Sequence, residues 1–174
     1  MSKVQGKEIK GPNAWLGPAV MVAIIAVAAA VSISAISSKN SKSSLAAATA
    51  VDQDLVIEKD RITSTASFFS VEIEGTQMEV LAVEAPDGSI RTAFNTCQVC
   101  YASGRGYYKQ EGKYLVCQNC GNSFTMDQVE VISGGCNPVP IMPENKTEDG
   151  EIITISKGYL TLAKNIFSNW KTEY

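Results

Sequence analysis

Cys97-Gln-Val-Cys100, then Cys117-Gln-Asn-Cys120-Gly121, then Gly134-Gly135-Cys136-Asn137-Pro138 hold all five cysteines of a 174-residue chain that contains no histidine. Each Cys-x-x-Cys turn lets its two sulfurs converge on one ion. The sixteen residues between the two turns fall inside the range of paired knuckles that close a tetrahedral metal site. Gly121, directly after the second pair, suits a knuckle that bends through positive φ. A chain without imidazole excludes blue-copper, Rieske-type and carboxylate–histidine sites, which leaves an iron ion, an iron–sulfur cluster or, alternatively, zinc. A four- or five-thiolate metal site follows, and it predicts a small β-rich domain shaped by a rubredoxin- or zinc-ribbon-like centre.

Upstream, residues 15–36 read Trp-Leu-Gly-Pro-Ala-Val-Met-Val-Ala-Ile-Ile-Ala-Val-Ala-Ala-Ala-Val-Ser-Ile-Ser-Ala-Ile, with no charged side chain. Such a run is long enough to cross a bilayer as a helix, with Trp15 at one interface and Pro18 in the first turn, where a missing N–H costs little. The competing reading is a cleaved signal peptide. Its apolar core is usually only about seven to fifteen residues long, and the cleavage-like Ala-Ala-Ala-Thr-Ala at 46–50 lies well past the run. Lys3, Lys7, Lys10 and the amino terminus precede the run, while Lys39 and Lys42 follow it. Basic flanks stay in the cytoplasm, so the excess puts the N-terminus inside and the cysteine domain outside. The expected organisation is a cytoplasmic tail at 1–14, a transmembrane helix at 15–36, a Ser/Ala-rich flexible linker at 37–50 and an extracytoplasmic cysteine-rich domain at 51–174. The localisation that follows is the cell membrane, by a single pass. An oxidising compartment would favour disulfides, but an odd cysteine count leaves one sulfur over, and a bridge inside Cys-x-x-Cys is redox-active more often than structural.

About 120 residues remain for the domain, enough for one small core. A net charge of −3 and the absence of an aromatic-basic stripe argue against nucleic acid as a partner. The pattern from Val51 is mostly extended. Strands are expected at Leu55-Val-Ile, Phe68–Glu74, Met78–Ala85 and Ser89–Phe94, punctuated by Gly75 and Pro86-Asp87-Gly88, which reads as an antiparallel meander delivering the chain into the first knuckle. Tyr107-Tyr108 and Tyr114-Leu-Val flank a short hairpin into Cys117, and Ile152–Ser156 is a further strand. Leu160, Ala163, Ile166, Phe167 and Trp170 recur at helical spacing and predict a short C-terminal helix packed on the domain's own core. The fold class is therefore mainly β: one N-terminal transmembrane helix, then a small β-rich domain and a closing helix. Tyr101, Tyr107, Tyr108 and Phe124 are expected to shield the metal site, and Met78, Met126 and Met142 read as core filler. No acid–base pair, activated nucleophile or phosphate loop is visible, which favours a non-catalytic protein.

Four blocks in order, Arg91-Thr-Ala-Phe-Asn-Thr-Cys-Gln-Val-Cys-Tyr, Gly106-Tyr before Gln110-Glu-Gly, Leu115-Val-Cys-Gln-Asn-Cys-Gly-Asn-Ser-Phe and Gly134-Gly-Cys-Asn-Pro-Val-Pro, resemble the signature of the FtrD-like membrane iron–sulfur proteins. The likeness covers roughly residues 55–160, and the last block is not part of ordinary zinc ribbons. It implies a membrane-attached, metal-binding redox protein, associated in some relatives with ferrous-iron uptake. Such a protein passes electrons and works with membrane permease or redox partner subunits, which would carry any metal transport. Cys97, Cys100, Cys117 and Cys120 match the paired blocks as metal ligands. Cys136 matches the last block as a further ligand or reactive thiol. Gly134 and Gly135 would let the backbone approach the site closely, and Pro138 and Pro140 would stiffen the exit. The alternative functions are a structural zinc-ribbon interaction module and a thiol-based metal-delivery or redox protein.

Overall fold

The computed structural model describes residues 49–172. The apolar run at 15–36, the tail before it and most of the linker lie outside the described residues. Among the described residues, no helix is long and apolar enough to cross a membrane.

The domain is mainly β, with eleven strands and one short α-helix among the described residues. Its centre is a five-stranded sheet ordered β1-β3-β4-β5-β9, made of β1 (Ala50–Val51), β3 (Ser67–Ile73), β4 (Thr76–Glu84), β5 (Ile90–Cys97) and β9 (Pro138–Pro140). The expected meander is present as β3, β4 and β5, each antiparallel to the next. A three-stranded sheet orders β10 (Thr147–Asp149), β11 (Ile152–Ile155) and β2 (Leu55–Glu58). A second three-stranded sheet comprises β6 (Tyr108–Glu111), β7 (Tyr114–Cys117) and β8 (Ser123–Thr125).

The central sheet is covered on both faces, which is why β4 carries the continuous buried run Val80-Leu81-Ala82-Val83 rather than a simple alternation. Period-two alternation then sorts these residues between two cores. Val71, Ile73, Met78, Val80, Ala82 and Phe94 face one core, with Ile57, Ile153, Ile155, Leu160 and Phe167. Leu81, Val83 and Ala93 face the other, with Tyr108, Leu115, Met126 and three of the cysteines. Burying a side chain such as Leu81 or Ile153 stabilises the fold by about 1.5–3 kcal/mol. Met78 and Met126 are core residues, as expected.

Three features differ from the expectation. The C-terminal helix is shorter, an α-helix only at α1 (Lys157–Leu162), followed by a 3₁₀ turn at Lys164–Phe167. The tighter winding still lets Phe167 pack edge-on against Phe94 at 5.8 Å and Trp170 edge-on against Phe167 at 5.6 Å, so the apolar stripe reaches its own core. Ala50 is already buried in β1, pairing in parallel with Val71. Strands β8, β9 and β10 were not anticipated, because each has only three residues and two of the three in β9 are proline. Proline cannot donate to a ladder, and β9 tolerates it by lying at the sheet's edge.

Candidate metal centre

The central sheet and the β6-β7-β8 sheet each deliver one knuckle. Cys97 is the last residue of β5, and a register shift against β9 between Phe94 and Cys97 redirects the strand end. The first turn closes when the Cys97 N–H donates to the Gly106 carbonyl at 2.6 Å and the Cys100 N–H donates to Cys97 Sγ at 3.3 Å. Gly106 is required here by close approach, since a Cβ at this position would lie 2.4 Å from the Cys100 carbonyl oxygen. Cys117 ends β7. Its N–H donates to Asn122 O at 2.9 Å, and its carbonyl accepts from Gly121 N–H at 2.9 Å, which folds the second turn back into β8. The Gln118 N–H donates to Tyr107 O at 2.8 Å and ties this knuckle to the start of β6.

Cys136 arrives on a separate loop. Gly134 and Gly135 take φ values of 93° and 68°, which give the sharp bend that presents the thiol. The Gln98 N–H, inside the first knuckle, donates to Asn137 O at 3.3 Å, and the Tyr108 hydroxyl donates to the Cys136 carbonyl. The Asn137 amide is buried. Its Nδ2 donates to Ile132 O at 3.0 Å, whereas its Oδ1 has no partner among the described residues.

All five sequence-predicted cysteines are brought together as free thiols. The sulfurs of Cys97, Cys100 and Cys117 lie within 4.8 Å of one another, and so do those of Cys100, Cys120 and Cys136. Two thiolates each about 2.3 Å from one ion are separated by at most about 4.6 Å. The observed spacing thus fits soft thiolate donors gathered for a metal. Cys97, Cys100 and Cys117 are buried, Cys136 is half-buried and Cys120 is exposed.

The electrostatics fit the same conclusion. Burial pushes the Cys117 thiol up to about 12, against the pull of the Cys120 and Asn119 N–H groups. Cys136 is also raised to about 12, first by its hydrogen bond with Cys120 and then by burial and the neighbouring sulfurs. Burial acts upward on Cys97 too, but donors from the Tyr108 hydroxyl and the Cys100 and Val99 N–H groups hold that thiol below its ordinary value. Five thiols so close together cannot all ionise unaided, and a bound cation would let them do so.

Of the expected aromatic shield, Tyr108 and Phe124 pack within the cysteine core. Tyr101 is exposed, and Tyr107 sits edge-on to Trp170 at 6.5 Å; neither belongs to the buried cluster around the cysteines. Tyr108 does more than shield. Its phenol O–H reaches both Cys97 and the Cys136 carbonyl, and burial, followed by the sulfur beside it, raises the pKa of the phenol. Asn95, which nothing in the local pattern singled out, fixes the Tyr108 backbone from both sides. It accepts from the Tyr108 N–H at 2.7 Å and donates to the Tyr108 carbonyl at 3.3 Å.

Two knuckles from different sheets, plus a third thiol loop, define a small β domain that gathers five thiols able to hold a metal. Residues 59–167, more than half of the chain, match the family described as membrane iron-sulfur containing protein FtrD-like, and the chain belongs to that family. No curated protein and no solved structure matches the chain.

Proposed function

We propose that this protein is a membrane-anchored electron-transfer component whose extracytoplasmic domain holds an iron or iron–sulfur centre on Cys97, Cys100, Cys117, Cys120 and Cys136. The observation that carries the reading is the convergence of all five sulfurs, within two sets no wider than 4.8 Å, in a domain of a membrane iron–sulfur family. When bound, the centre would supply one-electron chemistry. The protein's own groups hold the thiolates in place, donate hydrogen bonds to sulfur and limit water on the Cys97–Cys117 side, which are the main levers on such a centre. The domain would serve membrane permease or redox partner subunits, with the apolar run at 15–36 as its anchor.

The test is metal analysis and an absorption spectrum of the anaerobically purified full chain, followed by potentiometry. Iron with visible charge-transfer bands and a reversible potential is expected. Serine at Cys97, Cys100, Cys117 or Cys120 should remove most of the metal. A reporter fused after Tyr174 should be active only outside the cytoplasm. One zinc per chain with no visible absorption would sink the electron-transfer role in favour of a structural zinc ribbon, whose support is that the knuckle joining β7 to β8 suits zinc equally well.

A further inference from the structure

A single tetrahedral ion is satisfied by four thiolates. This site has five, and their grouping shows how the fifth is used. Cys97, Cys100 and Cys117 form a buried set, Cys100, Cys120 and Cys136 form an outer set, and Cys100 belongs to both. Cys100 is also firmly placed. Its carbonyl accepts from the Ser103 N–H at 2.9 Å and from the Ser103 hydroxyl at 2.7 Å, while Gly106 packs against it too closely for any side chain. A sulfur shared between two ions has to serve both geometries at once, and a residue held by its own backbone is suited to that.

We propose that the five cysteines hold two metal ions, with the Cys100 sulfur shared between a buried ion also bound by Cys97 and Cys117 and an outer ion also bound by Cys120 and Cys136. This rests on the thiolate metal centre proposed above and specifies its nuclearity. The coordination count closes. Two tetrahedral ions offer eight positions, the five thiolates fill six because Cys100 counts twice, and one bridging sulfide fills the remaining two. A mononuclear centre, or a four-cysteine cluster with two sulfides, would leave one thiol idle. Neither gives the Cys136 loop a reason for its two glycines in positive φ and its two tethers, Gln98 N–H to the Asn137 carbonyl and the Tyr108 hydroxyl to the Cys136 carbonyl.

The full chain in detergent micelles, loaded with cadmium-113, tests the sharing whatever metal the native protein carries. Two cadmium signals are expected, both coupled to the Cys100 β-protons. A single signal, or two signals with no residue in common, overturns the proposal. Loading Cys136→Ser should lower cadmium from two ions to one per chain, and an unchanged count also overturns it. On the iron-loaded chain, two irons and one acid-labile sulfide are expected, and one iron without sulfide or two irons with two sulfides refutes the count. A native protein found with two zinc ions would end the electron-transfer reading while supporting the shared site, so the two failures are separable.

Discussion

Lys146→Met is expected to destabilise the domain more than any surface substitution, because Lys146 and Glu130 form a buried ion pair against Thr92 of β5. Their side chains are only 1% and 10% exposed, and Lys146 Nζ lies 2.8 and 3.0 Å from the two carboxylate oxygens. The same carboxylate accepts from the Thr92 N–H at 2.7 Å, and Lys146 also donates to the Thr92 hydroxyl at 3.2 Å. Removing the cation leaves Glu130 charged and desolvated, at a cost of about 3–5 kcal/mol. Glu148, 3.5 Å from Nζ and more exposed, is a lesser partner. Adding Glu130→Gln removes the orphaned charge but keeps an amide oxygen for the Thr92 N–H, so the double variant should recover to a net loss of about 1–2 kcal/mol. Guanidinium unfolding of the full chain in detergent, followed by tryptophan fluorescence with Trp15 replaced by Phe so that only Trp170 reports, reads this out. With a slope of about 3 kcal/mol/M, Lys146→Met should lower the midpoint by roughly 1–1.7 M. Because Glu130 adopts φ 65° just before the loop that carries Cys136, metal should also be lost faster to a chelator. A change below about 1 kcal/mol, or a double variant no better than Lys146→Met alone, would refute the argument that the pair is a desolvated latch.

Three further outcomes follow from the site and its surroundings. Gly106→Ala places a Cβ 2.4 Å from the Cys100 carbonyl oxygen, so the first knuckle must shift, and metal content measured by elemental analysis should fall even though every cysteine remains. Tyr108→Phe removes a donor shared by Cys97 and the Cys136 carbonyl, leaving a more electron-rich sulfur. The reduction potential of the loaded centre should drop, and the fold should lose about 1–3 kcal/mol for the unpaired carbonyl. An unmoved potential would show that the phenol does not act on sulfur. Asp87 is held down to about 2 from 3.8 by the Ser89 hydroxyl and N–H and then by Arg91. A depressed carboxyl contributes stability above its unfolded pKa and loses it as pH falls through the folded one. Wild type should therefore lose melting temperature between about pH 4 and pH 2 more steeply than Asp87→Asn.

The meander was legible because β3, β4 and β5 are long and strongly patterned, and the two Cys-x-x-Cys turns announced themselves by spacing alone. What escaped has a common cause. The β9 strand carries two prolines and no alternation, and only its place at the sheet edge makes it a strand. The Glu130–Lys146 pair spans 16 residues, and its depth depends on β5, which neither residue belongs to. Asn95 looks like an ordinary polar position in a strand until the chain folds so that its amide meets the backbone of Tyr108. Sequence spacing reports contacts within one turn, whereas these depend on which strands become neighbours.

The placement of Cys136 shows how topology completes what motifs begin. Antiparallel pairing sets Ala93 opposite Pro140 and Phe94 opposite Val139, and after the register shift it sets Cys97 opposite Pro138. Cys136 therefore stands two residues beyond the partner of a knuckle cysteine, whatever the conformation of the loop before it. Since side chains alternate strictly along a strand, a one-residue slip of β9 would exchange the faces of its side chains and carry the loop away from the sulfurs. Such a slip is opposed at both ends: Ile141 N–H donates to Thr92 O at 3.1 Å, and Gln98 N–H donates to Asn137 O. The Thr92 hydroxyl that accepts from Lys146 also donates to the Ile141 carbonyl, so the buried ion pair and the register of β9 share one residue. Strand register, ion pair and thiol position form one coupled unit. For that reason a charge removed at Lys146, far along the chain from any ligand, should be felt at Cys136.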